Sequence, residues 1–272
     1  MGIPEMTRVV TLKKWTTLAL TGATAGLVVG HPALAQIAPD RPETLWFAAS
    51  EGGEGGESGA IEGASPDVAH LTRLALVEGH LMAAVNLYAK GMTDEAVGLA
   101  GHPEAEMMDE VRAGLAQRAA ADFTPDLEAV GEAMYDGAPQ AEVDAKMAQL
   151  SRAIATAANA NNVPLRVRFD AMIALLRAAA GEYAGSIENG AVSDPMAYHE
   201  AYGFIRIAER EAGALSVYDD PVAAKAAARI TAALPETDAA FGDMAETTLL
   251  AGDASLLYAV AAQAEFASAA VK

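Results

Sequence analysis

The chain has 272 residues, a formal net charge of −19 and no cysteine. That length holds one large domain or two small ones, and the acidity repels nucleic acid and anionic lipid while attracting cations or basic proteins. The missing thiols exclude zinc–thiolate sites, iron–sulfur clusters and covalently attached haem, so any metal site must be built from His, carboxylate, Tyr or Met.

The first 35 residues read as a cleavable signal peptide. Arg8, Lys13 and Lys14 make a basic start, an apolar run follows from Trp15 to Gly30, and Ala33-Leu34-Ala35 is a small-x-small cleavage site. Cleavage after Ala35 removes three bases and one acid, Glu5, and leaves a still more acidic chain. The expected location is the periplasm, with no later stretch apolar enough to span a membrane. Residues 36–64 read as a lead and flexible linker, the part from Ser50 to Ala64 being Gly, Glu and Ser almost throughout. That stretch has no cationic residue and does not sit between a strand and a helix, so it is no phosphate loop.

Residues 65–272 read as one all-α domain. Hydrophobic residues make up 52% and aromatics only 6%, with alanine dominant and no period-two alternation. The expected architecture is an elongated helical bundle of about four long helices plus shorter ones. Ser65-Pro66-Asp67 opens a helix over 66–90, with Leu76, Val77, Ala84 and Leu87 on its apolar stripe and His80 among them. A short helix over 93–99 is expected next. Pro103 then suits a first helical position, which places His102 at a helix start and the acids 104, 106, 109 and 110 in the first turns. Helices over 125–135 and 138–161 follow. After the central hairpin come a helix from Pro221 to Leu234 and a last one over 252–270, its stripe carrying Leu256, Leu257, Val260, Ala264 and Phe266.

The stretch from Phe169 to Glu211 is the most informative. Leu175, Ala178 and Ala179 share a helical stripe whose next position is Glu182. Asn189-Gly190 is a turn pair that tolerates positive φ, and Asp194-Pro195 restarts a helix with Asp as N-cap. On that second helix Glu200 shares a stripe with Phe204 and Ile207, and His199 lies beside it. A carboxylate on an apolar stripe is costly unless something charged or hydrogen-bonding meets it, and a metal ion is one such partner. Gly79-His80, a turn at Gly91 and His102 echo Gly181-Glu182, a turn at Gly190 and His199, which would set potential ligands in two related hairpins.

The pattern Glu182-Tyr183, Ile187-x-Asn189-Gly190, Val192-x-Asp194, Tyr198-x-Glu200 and Phe204 resembles the extracytoplasmic helical domain associated with FTR1-type iron permeases. The resemblance covers about forty residues. Two features depart from it: Ala197 stands where that family usually has Glu, and the multi-span permease portion is absent. The resemblance implies iron as the metal and a membrane iron permease as a partner.

Enzymatic alternatives find little support. His199-Glu200 begins like His-Glu-x-x-His, but position 203 is Gly. Gly-x-Ser-x-Gly is missing, and the few aromatics offer little of a sugar platform for a glycosidase carboxylate pair. Tyr183, Tyr198 and Tyr202 either ligate Fe³⁺, hydrogen-bond to the carboxylates or wedge between helices. The expectation is thus an exported, non-catalytic metal-binding protein with Glu182, His199, Glu200, His80, His102 and Glu104 as candidate ligands. Oxygen-rich donors favour iron; imidazole with Met82, Met107, Met108 or Met196 would favour copper. The competing reading is an acidic helical adaptor that docks a basic partner and has no specific metal site.

Overall fold

The computed structural model describes residues 55–242 and 253–272. The signal peptide and its cleavage site, the lead and the first part of the linker lie outside the described residues. Among the described residues the fold is all-α, with ten helices. They are α1 (Gly55–Ile61), α2 (Pro66–Ala89), α3 (Thr93–Glu106), α4 (Met108–Gln117), α5 (Thr124–Tyr135), α6 (Gln140–Ala158), α7 (Leu165–Ser186), α8 (Pro195–Ser216), α9 (Pro221–Ala233) and α10 (Ser255–Ser268). A 3-10 turn, Leu234–Ala239, follows α9. The four longest helices are α2, α6, α7 and α8. No described helix is long and apolar enough to cross a membrane.

The helix starts follow from local chemistry. Ser65 Oγ accepts from Val68 N at 3.3 Å with Pro66 in the first turn of α2. Asp194 Oδ1 accepts from Met196 N and Ala197 N at the start of α8. Asp220 does the same for α9 through Val222 N and Ala223 N. Between α7 and α8, strands β1 (Ile187–Glu188) and β2 (Ala191–Val192) pair antiparallel. Asn189 and Gly190 close the hairpin at φ +53° and +78°, as a two-residue turn of right-handed twist requires.

Helices α2, α7 and α8 pack on one another and form the centre of the bundle. The α2–α8 crossing is unusually close. A Cβ at Gly203 would lie 2.2 Å from the carbonyl oxygen of Gly79, and a Cβ at Gly79 would lie 2.4 Å from the ring of Phe204. Only glycine at both positions lets these backbones meet. Just outside this contact a bidentate ion pair joins Glu78 of α2 to Arg210 of α8.

Three expectations are corrected. Residues 55–61, inside the stretch read as linker, form α1 and lie against α7. The contact is again glycine on glycine: a Cβ at Gly181 would sit 2.9 Å from the Cα of Gly56. Second, α3 does not stop before His102. It runs through a buried Pro103 and breaks only at Met107, whose φ is −142°. Third, Phe266 of α10 is 84% exposed, whereas Leu257, Val260, Ala261 and Ala264 face the core.

Candidate metal centre

The close α2–α8 crossing sets the first pair of polar groups. One residue beyond Gly79 stands His80, fully buried. One helical turn before Gly203–Phe204 stands Glu200, 5% exposed. The Nε2 of His80 is 3.4 Å from Glu200 Oε1. The other ring nitrogen, Nδ1, lies 2.8 Å from the carbonyl oxygen of Leu76. A carbonyl only accepts, so Nδ1 carries the hydrogen and, in the neutral ring, Nε2 presents its lone pair. Phe204 packs edge-on against the ring at 5.2 Å between centroids. A backbone carbonyl that fixes the far nitrogen is the usual support of a metal-ligating imidazole.

The unbroken α3 supplies the next two groups. His102 and Glu106 are four residues apart on one helix face. His102 Nδ1 is 2.8 Å from Glu200 Oε1 and 3.4 Å from Glu106 Oε1. Glu106 Oε2 is 3.7 Å from His80 Nε2. Helix α1 brings in Glu57, 8% exposed, whose Oε1 is 3.3 Å from His80 Nε2. The ligand atoms of His80, His102 and Glu200 converge, as do those of Glu57, His80 and Glu106. These groups are close without satisfying one another: Glu57 Oε1 and His80 Nε2 have no hydrogen bond of proper geometry, although both are buried.

Glu182 completes the carboxylates. It is 1% exposed, and the backbone of Glu57 and the charge of His80 are the groups around it that favour its ionised form. A Cβ on Gly56 would come within 2.5 Å of Glu182 Oε1, so the glycine of α1 leaves room for this side chain.

The electrostatics show one coupled set. Burial pushes Glu182 up to about 9, with the charges of Glu200 and Glu57 adding to the effect. Burial also raises Glu57 to about 7, partly offset by His80. For His80 burial acts downward, but the carboxylates of Glu57 and Glu200 outweigh it and hold the ring up at about 9. Burial pushes Glu200 upward too, yet the two imidazoles bring it down to about 2. His102 is raised by its hydrogen bond to Glu200. A cleft of about 320 Å³ reaches this set, lined by Glu57, Glu106, Glu200, Leu76, Met107 and Arg73 among others.

No protein-family model, no curated protein and no solved structure matches this chain. The site therefore has to be judged on its own geometry.

Of the six candidate ligands, His80, His102 and Glu200 converge, and Glu182 is buried within electrostatic reach of Glu200, Glu57 and His80. His199 is buried on α8 beside Tyr198, but it belongs to neither converging group. Glu104 points to the outside and forms a bidentate pair with Arg112. Glu57 and Glu106 are ligand candidates that sequence reasoning missed. For Glu106 the signal was the i, i+4 spacing from His102. The tyrosines serve structure: Tyr183 donates to the carbonyl of Ala240 at 2.6 Å, and Tyr198 Oη accepts from Gly242 N at 3.0 Å. Both rings, with Tyr202, pack around Phe241.

The described protein is a largely helical domain whose buried His and Glu side chains are able to coordinate a metal ion. Two imidazole nitrogens and a surplus of carboxylate oxygens suit a first-row divalent or trivalent ion.

Proposed function

We propose that this is an exported, periplasmic iron-binding protein that works beside an FTR1-like permease and performs no catalytic turnover. One observation carries the metal-binding part: the Nε2 of a fully buried His80 stands 3.3–3.7 Å from three carboxylates. Its tautomer is fixed by Leu76, and among the described residues neither Nε2 nor Glu57 Oε1 finds a hydrogen bond of proper geometry. Buried polar groups left unsatisfied are costly, and a cation coordinated by all of them offsets that cost. Iron over copper is supported by the donors that converge, imidazole nitrogen and carboxylate oxygen. Export is supported by the signal-peptide pattern of residues 1–35, and the permease partner by the resemblance of the α7–α8 hairpin.

The test is a thermal melt of residues 36–272 with Fe²⁺ under anaerobic conditions, Fe³⁺, Cu²⁺ and Zn²⁺. Saturation to a hundred times the dissociation constant adds about 2.7 kcal/mol, which for a domain this size is roughly 5–10 °C in Tm. The rise should be largest with iron and vanish in a His80→Ala, Glu200→Ala double variant. A copper-only response would overturn the iron assignment. An unaltered melt with every ion would favour the acidic adaptor.

A further inference from the structure

We infer that the centre is built for two metal ions bridged by carboxylates, with His80 on one ion and His102 on the other. The inference rests on the metal-binding reading above and concerns how many ions that site takes.

The two imidazoles cannot be treated as interchangeable ligands. His80 has only Nε2 to offer, because Leu76 engages Nδ1. His102 turns its Nδ1 toward the cluster, and the two rings stand 6.2 Å apart between centroids, tilted by 49°. Between them lies Glu106, and its two oxygens are divided. Oε2 faces His80 Nε2 at 3.7 Å and Oε1 faces His102 Nδ1 at 3.4 Å. A carboxylate with one oxygen toward each imidazole has the disposition of a bridge between two ions. Glu200 repeats the arrangement through a single atom: its Oε1 is 2.8 Å from His102 Nδ1 and 3.4 Å from His80 Nε2. Glu57 reaches the His80 half. Two-metal sites space their ions about 3.5–4 Å apart, a separation that fits within the distance between these rings.

The experiment titrates Mn²⁺, an ion with the same taste for oxygen and imidazole, into residues 36–272 freed of metal. Binding is counted by calorimetry and elemental analysis, and electron paramagnetic resonance is recorded at saturation. The expected result is two equivalents per chain and an exchange-coupled spectrum in place of an isolated-ion pattern. His102 is part-exposed and its replacement spares the core, so His102→Ala should still fold and should hold one equivalent with the isolated-ion spectrum. Glu106→Gln should likewise remove the coupling. Saturation of the unaltered chain at one equivalent overturns the two-ion inference and leaves the metal-binding reading standing. Two equivalents without coupling, or loss of both in His102→Ala, overturn it as well. If neither Mn²⁺ nor Fe²⁺ binds, the metal-binding reading itself fails.

Discussion

Helix α2 carries two buried histidines ten positions apart, His70 and His80, and their fates differ. Both are under 10% exposed, and among the described residues both have an Nε2 without a hydrogen bond of proper geometry. His80 looks onto Glu57, Glu106 and Glu200 and is held up at about 9. His70 sits against Gly114 of α4, and burial together with the charge of Arg118 pushes it down to about 4. Burial works in the same direction on both rings. What separates a candidate ligand from a core residue is the sign of the charge that surrounding helices bring to it.

The comparison breaks hardest at the glycines that admit each ring's neighbours. At the His80 end a Cβ on residue 203 would meet backbone, the Gly79 carbonyl at 2.2 Å. Backbone cannot turn aside, so Gly203→Ala must push α2 and α8 apart. About 3 kcal/mol or more of stability should be lost, and metal binding with it. At the His70 end a Cβ on Gly114 would meet the ring of His70, Nδ1 at 2.5 Å. A side chain can shift, so Gly114→Ala should cost about 1–3 kcal/mol and leave metal affinity unaltered. Denaturant midpoints and a metal titration on the two variants check this. Equal stability loss, or loss of metal binding in Gly114→Ala, would contradict the division of α2 into a site end and a packing end.

A second variant probes the part of the site that comes from outside the central helices. Gly56→Ala would place a Cβ 2.5 Å from Glu182 Oε1 and 2.9 Å from the Glu182 backbone nitrogen. Helix α1 is only seven residues long, so lifting it should change the melting temperature little. It withdraws Glu57 from His80, however, and affinity should fall roughly tenfold or more. A large drop in stability with affinity intact would mean that α1 is a structural strap and Glu57 a bystander.

These two ends also show what was readable beforehand. The starts of α2, α8 and α9 and the Asn189-Gly190 turn rest on residue-local chemistry, namely Ser65, Asp194, Asp220 and a pair that accepts positive φ. So does the presence of His80 and Glu200 on apolar stripes. Glu106 was hidden because Pro103 reads as a helix start, whereas the helix passes through it and sets His102 and Glu106 on one face. Glu57 was hidden more deeply. Its Gly-, Glu- and Ser-rich surroundings have the composition of a linker, and the helix there finds its place through a contact between Gly56 and Gly181, well over a hundred positions apart in sequence. No local pattern carries such a pairing. The charge around a buried histidine is likewise a property of neighbouring helices, so His70 and His80 look alike until the bundle is assembled.

The smallest expected effect is a difference in pH dependence between the two ends. An unfolded histidine titrates near 6.5. His70 in the fold titrates at about 4, so between these values the unfolded chain binds a proton that the folded chain refuses. The stability associated with a neutral His70 is complete above about pH 6.5 and is lost as pH falls toward 4. His80 has the opposite sign. Its folded value is raised to about 9, so in the metal-free protein its contribution is complete below about pH 6.5 and is lost as pH rises through 9. His70→Asn, which cannot titrate, should narrow the gap between denaturation midpoints at pH 7 and pH 4.5 and leave the alkaline side unaltered. Glu200, held at about 2, and Asp122, also lowered, act at more acidic pH and persist in the variant. The informative quantity is therefore the change in slope between pH 6.5 and 4 relative to the unaltered chain. An identical slope would mean that His70 accepts a proton in the fold as readily as in the open chain, and would overturn the contrast drawn between the two histidines.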